Sequence, residues 1–314
     1  MRTLRFHRNG EPLDVLRLEE AEPPRPAPGQ VRVAVEVCTV NPADLALCRG
    51  LYPGDLPRGI GLEVAGTVDA VGAEVTGVRL GDAVFGPVPF TGPTAGASGH
   101  AVLDTWFPRP PELAPAAAAA LPMAVDTAQL GLDLLGITAD TTLLVSGGGA
   151  TTGFAAVQLA RLSGARVITT AGPTHTEALR ATGAEVTPYG KGMAERVREL
   201  AGGPVDVVLD VSPPDDATIP ELLGTVADPR HVLTISNLAA ARELGARDAF
   251  TEGPLGHRYD VVAKCAQLAA EGRFAIPLGH AVALDDWREA IAASQSQRPG
   301  GKVVLQLGPA AKPR

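Results

Sequence analysis

Apolar and polar residues alternate with a period of two through much of the first third of the chain. Arg2–His7 and Val15–Leu18 show it around the turn residues Asn9 and Gly10, and Gln30–Thr39 (QVRVAVEVCT) shows it at length. Glu63–Val71 and Asp82–Phe85 continue it, with Gly and Pro between the runs. Period two marks a half-buried strand, and short strands broken by Gly and Pro turns predict a small barrel-like β domain. Pro108–Pro115 reads as a boundary, after which an alanine run leads through Leu121 and Pro122 into an apolar helix ending near Leu135.

From there short apolar runs replace the alternation. They predict strands at 142–146, 166–170, 184–188, 205–211 and 231–236, with helices at 153–163, 174–182, 191–201 and 215–227 between them. Strands alternating with helices predict a parallel sheet covered on both faces. The tail predicts a helix at 258–271, a strand at 278–283, a helix at 285–294 and a last strand at Lys302–Leu307.

With 314 residues the chain is long enough for two cores. Its hydrophobic share of 45% and charged share of 20% belong to the globular class. A net charge of −8 without a Lys/Arg stripe argues against a nucleic-acid partner. The start, MRTLRFHRNG, lacks the apolar run of a signal peptide, and no apolar stretch is long enough for a membrane span, so a cytoplasmic location is expected. Cys38, Cys48 and Cys265 form neither a CxxC pair nor a zinc-ligand spacing and read as reduced thiols, Cys38 as a small buried apolar residue.

The stretch 142–170 (TLLVSGGGATTGFAAVQLARLSGARVITT) carries the most chemistry. A buried strand runs into Gly147, Gly148 and Gly149, where the backbone turns with no Cβ in the way. Gly153 is expected to open the helix and Gly164 to close it before a second strand. A helix start beside a glycine turn offers unpaired N–H groups and a positive dipole end to a pyrophosphate, as in dinucleotide-binding βαβ units. The fingerprint is degenerate: Ala150 replaces the middle glycine of GxGxxG, and counting from Gly147 puts Thr152 at the last position.

Five segments occur in order: VNPADLALCRGLYP (40–53), GLEVAGTVDAVGAEVTGVRLGDAVFG (61–86), AAALPMAVDTA (118–128), the glycine unit, and GGKVVLQL (300–307). Together they resemble the medium-chain dehydrogenase/reductase superfamily, in particular its zinc-free quinone oxidoreductases and enoyl reductases. The resemblance implies an α/β fold: a GroES-like β-barrel catalytic domain at 1–117 and 255–314, and a Rossmann doubly wound parallel-sheet domain at 118–254. Zinc-dependent members carry a Cys and a His-Glu pair in the first two segments. Here Asn41 and Leu62-Glu63 stand there, so no metal is expected. Without a Lewis acid, reduction of a conjugated system is the easier chemistry. The implied activity is hydride transfer from NADPH to a quinone or to the C=C of an enone or enoyl substrate, in secondary metabolism among other settings.

An NAD site would place an acid near the end of the second strand, but Thr170-Ala171-Gly172 stands there, which tolerates the 2′-phosphate of NADP. His175 and Arg180 either contact that phosphate or are solvated helix residues. Tyr189 matches a tyrosine near the adenosine phosphate, with Lys191 close by. Lys302 matches a basic residue near the cofactor, or else caps a surface turn. Thr127 matches a threonine near the nicotinamide amide, with back-bonding inside its helix as the alternative. Gly147 to Gly153, including Ala150, Thr151 and Thr152, form the expected phosphate turn. Ser212-Pro213-Pro214 replaces the family's glycine after Asp210, and Ser236 and Asn237 end the fifth strand on the nicotinamide edge.

On the substrate side the related reductases carry two tyrosines. Ala46 replaces the first, and Tyr52 matches the second as proton donor or substrate hydrogen-bond partner, with loop packing beside Pro53 as the alternative. Asn41 is expected to bond the substrate oxygen or the nicotinamide ribose, Asp44 to cap the helix entered after Pro42, and Glu63 to form a salt bridge. His100 and Trp106 are candidate pocket residues. Asp126, where the family has an apolar residue, either repels anions or acts as an acid. A homodimer is implied by the resemblance alone. A second reading stays open: a lyase, cyclase or binding protein that keeps NADP as a structural ligand.

Overall fold

The computed structural model describes residues 1–252, 256–296 and 300–308. The expected domain boundary at 254/255 lies outside the described residues. The strands in chain order are β1 (Arg2–Phe6), β2 (Leu16–Glu20), β3 (Val31–Val40), β4 (Arg58–Gly59), β5 (Glu63–Val71), β6 (Ala83–Pro87), β7 (His100–Leu103) and β8 (Phe107–Pro108). After the helices Pro115–Ala119 and Pro122–Leu135 come β9 (Thr142–Ser146), β10 (Arg166–Thr170), β11 (Glu185–Thr187), β12 (Val207–Asp210), β13 (Val232–Thr234) and β14 (Arg247–Asp248). The helix Tyr259–Ala270 leads to β15 (Leu278–Ala283), and the helix Trp287–Gln295 to β16 (Lys302–Gln306). Two compact units result, Met1–Met123 with Ala263–Arg314, and Ala124–Val262.

In the first unit a sheet runs β15-β16-β3-β5-β6-β8, with β7 also on β3, and a smaller sheet runs β2-β1-β4. Alternation in β3 puts Val31, Val33 and Val35 in the core while Arg32 and Glu36 stay half-buried. Phe6, Leu47, Ile60, Leu103, Trp287 and Leu305 fill that core, and each large side chain fully buried contributes about 1.5–3 kcal/mol. Residues 12–15, partly read as strand, form a single helical turn, because Pro12 at its first position favours helix entry.

The second unit is one sheet, ordered β11-β10-β9-β12-β13-β14, with every pair parallel. Counted from β9 that order is 3-2-1-4-5-6, the doubly wound nucleotide-binding arrangement. Leu143, Leu144 and Val145 of β9 are fully buried, as a central strand covered on both faces requires. The order reverses between β9 and β12, so the carboxyl ends of these two strands form the crevice where such sheets take ligands.

Candidate functional site

At that crevice β9 ends in Ser146, and Gly147 adopts φ +88°, a conformation L side chains rarely reach. The Gly147 N–H donates to Thr170 Oγ1 at 2.9 Å and the Gly148 N–H to the Thr170 carbonyl at 2.9 Å. Thr170 is buried, and its hydroxyl and carbonyl tie the turn to the end of β10. The helix begins at Thr151, so Gly153 lies inside its first turn rather than opening it. The reason is steric: a Cβ on Gly153 would run into the Gly147 carbonyl. Ala150 caps the helix without a side-chain hydrogen bond. The first N–H groups of a helix have no intrahelical acceptor, so those of Thr151, Thr152 and Gly153 suit a pyrophosphate. Glycines that leave no room for a Cβ, beside an uncapped helix start, fit a dinucleotide.

Around this turn His175 is half-buried, edge-on to Phe154 at 6.2 Å between centroids, and its Cδ2 lies 3.3 Å from where a Gly149 Cβ would stand. Tyr189 is exposed beside Gly172, with Cε1 3.6 Å from the equivalent point on that glycine. Arg180 is not brought to this group: it is exposed and ion-paired with Glu177 at 2.8 Å, one turn away on its own helix. Lys191 is exposed. Thr127 is half-buried on the Pro122–Leu135 helix. Its neighbour Asp126 is buried, and its carboxylate lies 2.8 Å from His257 Nδ1 and accepts the Arg258 N–H at 2.6 Å, anchoring that segment to the helix. At the other strand ends Ser212 is half-buried, Ser236 is half-buried and Asn237 is buried.

The first unit buries a polar cluster. Lys302 Nζ lies 2.6 Å from Glu63 Oε1 and donates to Asn41 Oδ1 at 2.6 Å. Asn41 Nδ2 donates to Glu63 Oε1 at 2.9 Å, the Thr39 hydroxyl donates to the same oxygen at 3.2 Å, and the Met123 N–H reaches Oε2 at 3.3 Å. Glu63 is 0% exposed and Lys302 3%, so Lys302 does not cap a surface turn. Asn41 therefore has its amide orientation set by its neighbours: oxygen to Lys302, nitrogen to Glu63. Asp44 accepts the Asn41 N–H and the Gly61 N–H, each at 2.7 Å. Burial pushes its carboxyl up to about 7, against the pull of those two N–H groups, with Glu63 adding to the rise and Lys302 opposing it.

Tyr52 is 38% exposed, its ring 5.4 Å from Phe90 and tilted by 57°. The buried Arg58 guanidinium holds both loops by donating to the Tyr52 and Phe90 carbonyls. Ala46 is half-buried. His100, on β7, pairs with Asp69 at 3.1 Å, and Trp106 packs on the core of the first unit. Leu62 is a core residue. The three thiols are buried, Cys48 and Cys265 pushed up to about 12 and Cys38 well above the ordinary value, so none is poised as a thiolate.

Residues 27–103 match the alcohol dehydrogenase GroES-like domain and residues 151–229 the zinc-binding dehydrogenase family. An alcohol dehydrogenase superfamily protein from Novosphingobium aromaticivorans superposes with a TM-score of 0.81 at 26% identity, covering 98% of this chain and 99% of that one. The chain belongs to the medium-chain dehydrogenase/reductase superfamily. Within this superfamily of nicotinamide-dependent oxidoreductases, the quinone oxidoreductase from Coxiella burnetii shares the fold, with a TM-score of 0.81 at 24% identity over 98% of this chain and 99% of that one. Curated relatives of this medium-chain member include the spectinabilin polyketide synthase system protein NorB from Streptomyces orinoci, 39% identical over 59% of the chain. Another is erythronolide synthase EryA2 from Saccharopolyspora erythraea, 38% identical over 58% of the chain. The chain spans only 8% and 5% of the length of these two relatives. Among the described residues no group of three or more His, Cys, Asp and Glu is placed to hold a metal ion, and no helix is long and apolar enough to cross a membrane.

Proposed function

We propose that the protein is a zinc-independent, NADPH-dependent reductase of quinones or of the C=C bond of enones and enoyl substrates. The observation that carries this is the Lys302–Glu63–Asn41 cluster. Where zinc-dependent relatives hold a metal, this chain has an amide, an aliphatic Leu62, and a carboxylate already paired with an ammonium. That donor set does not suit tetrahedral zinc. Bound NADPH supplies the hydride. The turn Gly147–Gly153 takes the pyrophosphate, and Thr170-Ala171-Gly172 with His175 and Tyr189 accommodates the 2′-phosphate. Thr127 bonds the nicotinamide amide. Tyr52 delivers or orients the proton that completes the reduction. The polyketide synthase relatives favour an enoyl substrate and a role in secondary metabolism. Three buried free thiols agree with a reducing, cytoplasmic setting, and a homodimer would form by pairing of an edge strand of the nucleotide sheet.

The test is loss of the near-ultraviolet absorbance of NADPH against a panel of quinones and enones, in wild type and Tyr52→Phe. Turnover is expected in the wild type. The variant is expected to slow enone reduction about 100-fold or more while NADPH affinity is unchanged. Equal rates remove Tyr52 from the chemistry. Tight NADPH binding with no turnover on any acceptor would replace this reading with that of a lyase, cyclase or binding protein that keeps NADP structurally.

A further inference from the structure

The carboxyl ends of β12 and β13 hold a buried carboxylate that the proposed reduction leaves without a task. Asp210, the last residue of β12, is 0% exposed. Its Oδ1 accepts the Ser212 hydroxyl at 2.7 Å and the Ser212 N–H at 3.2 Å. Its Oδ2 accepts the Thr234 hydroxyl at 2.7 Å and Asn237 Nδ2 at 2.7 Å. Four neutral donors converge on it, and no cation is among them. Only a side chain that accepts on both oxygens satisfies all four; an amide in its place would turn an NH₂ toward N–H and O–H donors.

The network extends outward. The Thr234 oxygen accepts the N–H groups of Ser236 at 3.1 Å and Asn237 at 3.0 Å. Asn237 Oδ1 accepts the Asp215 N–H at 2.8 Å. Pro213 and Pro214 have no N–H to offer. The Ser212 and Asp215 donors after β12 are thus turned inward, onto Asp210 and Asn237, and the pyrophosphate is left to the glycine turn. Ser212 lies flush against that turn: a Cβ on Gly147 would stand 2.7 Å from Ser212 Cα and 2.7 Å from its nitrogen.

A doubly wound sheet is two mononucleotide-binding halves, and the half with the glycine turn and the ribose-facing strand end takes the adenosine side. Strands β12–β14 are the other half. We propose that Asp210 is a positioning residue for the nicotinamide side of the dinucleotide, holding Ser212 and the Ser236–Asn237 turn in one arrangement against the glycine turn. This rests on the reading that the chain binds a nicotinamide dinucleotide.

The test is calorimetric binding of NADPH and of adenosine 2′,5′-bisphosphate, which carries the adenosine side alone, to wild type and Asp210→Asn. The variant is expected to weaken NADPH binding about tenfold or more and the bisphosphate less than about twofold. Ser212→Ala, which removes a single hydroxyl donor, is expected to show the same split at about threefold and keeps the proposal testable if Asp210→Asn does not fold. Equal weakening of both ligands, or of neither, overturns the role of Asp210. A wild type that binds neither ligand overturns the dinucleotide reading itself, and the proposal with it.

Discussion

Replacing Lys302 with methionine probes the buried cluster most directly. The aliphatic stem is kept and the ammonium is lost. Glu63 then retains three neutral donors, Asn41 Nδ2 at 2.9 Å, the Thr39 hydroxyl at 3.2 Å and the Met123 N–H at 3.3 Å. Asn41 Oδ1 loses its 2.6 Å bond. Removing one member of a buried ion pair costs about 3–5 kcal/mol, because the other charge stays behind without compensation. At a urea dependence of about 2 kcal/mol per M, the unfolding midpoint drops by roughly 2 M. Both tryptophans, Trp106 and Trp287, pack in the core of the first unit, so tryptophan fluorescence reads that unit alone. Adding Glu63→Gln removes the stranded charge and should restore about half of the loss, so the double variant is more stable than Lys302→Met alone. A midpoint shift under about 0.5 M for Lys302→Met, or a double variant that is merely additive, would refute the reasoning.

Three other outcomes are expected. Burial raises Asp44 from the ordinary 3.8 to about 7, so the folded chain holds a proton the unfolded chain has released. Its stabilising contribution is full below about pH 4 and is lost as pH rises through about 7; urea midpoints across that window should slope downward more steeply in wild type than in Asp44→Asn. Gly153→Ala puts a methyl on the Gly147 carbonyl, which should cost about 1–3 kcal/mol and weaken NADPH binding at least tenfold in a fluorescence titration; unchanged affinity would separate the turn from the cofactor. Arg58→Met leaves the Tyr52 and Phe90 carbonyls without their donor, which should cost about 2–4 kcal/mol and speed proteolytic cleavage in the loop 51–57.

Local pattern made the second unit legible where side chains are buried on both faces. The strands at 142–146 and 166–170 were readable to the residue, since a short apolar run between glycines has few other uses. The helix start was misplaced by two residues because Gly153 answers to the Gly147 carbonyl, a contact that no periodicity encodes. Polar partnerships were the least visible. Lys302 and Asn41 are 261 positions apart, and Asp126 and His257 131 apart, so residue type suggests a charge without naming what neutralises it. The Asp210 network leaves a faint local trace, in that Thr234 and Asn237 sit at a strand end three apart, the spacing of a hydroxyl that accepts N–H groups two and three residues on.

The strand that brings Lys302 also makes the first unit discontinuous in the chain. β16 pairs Val303–Gln306 with Val37–Val40 of β3, yet the whole second unit is encoded between them. During synthesis residues 1–123 leave the ribosome long before their missing strand exists, while Ala124–Val262 is contiguous and closes its sheet first. Until β16 arrives, the Val37–Val40 stretch of β3 is an open edge, a template for pairing with another chain, and the Glu63 carboxylate has no ammonium. A polypeptide stalled short of residue 302 would therefore carry a contiguous second unit joined to a first unit with an unpaired β3 edge and an unneutralised Glu63.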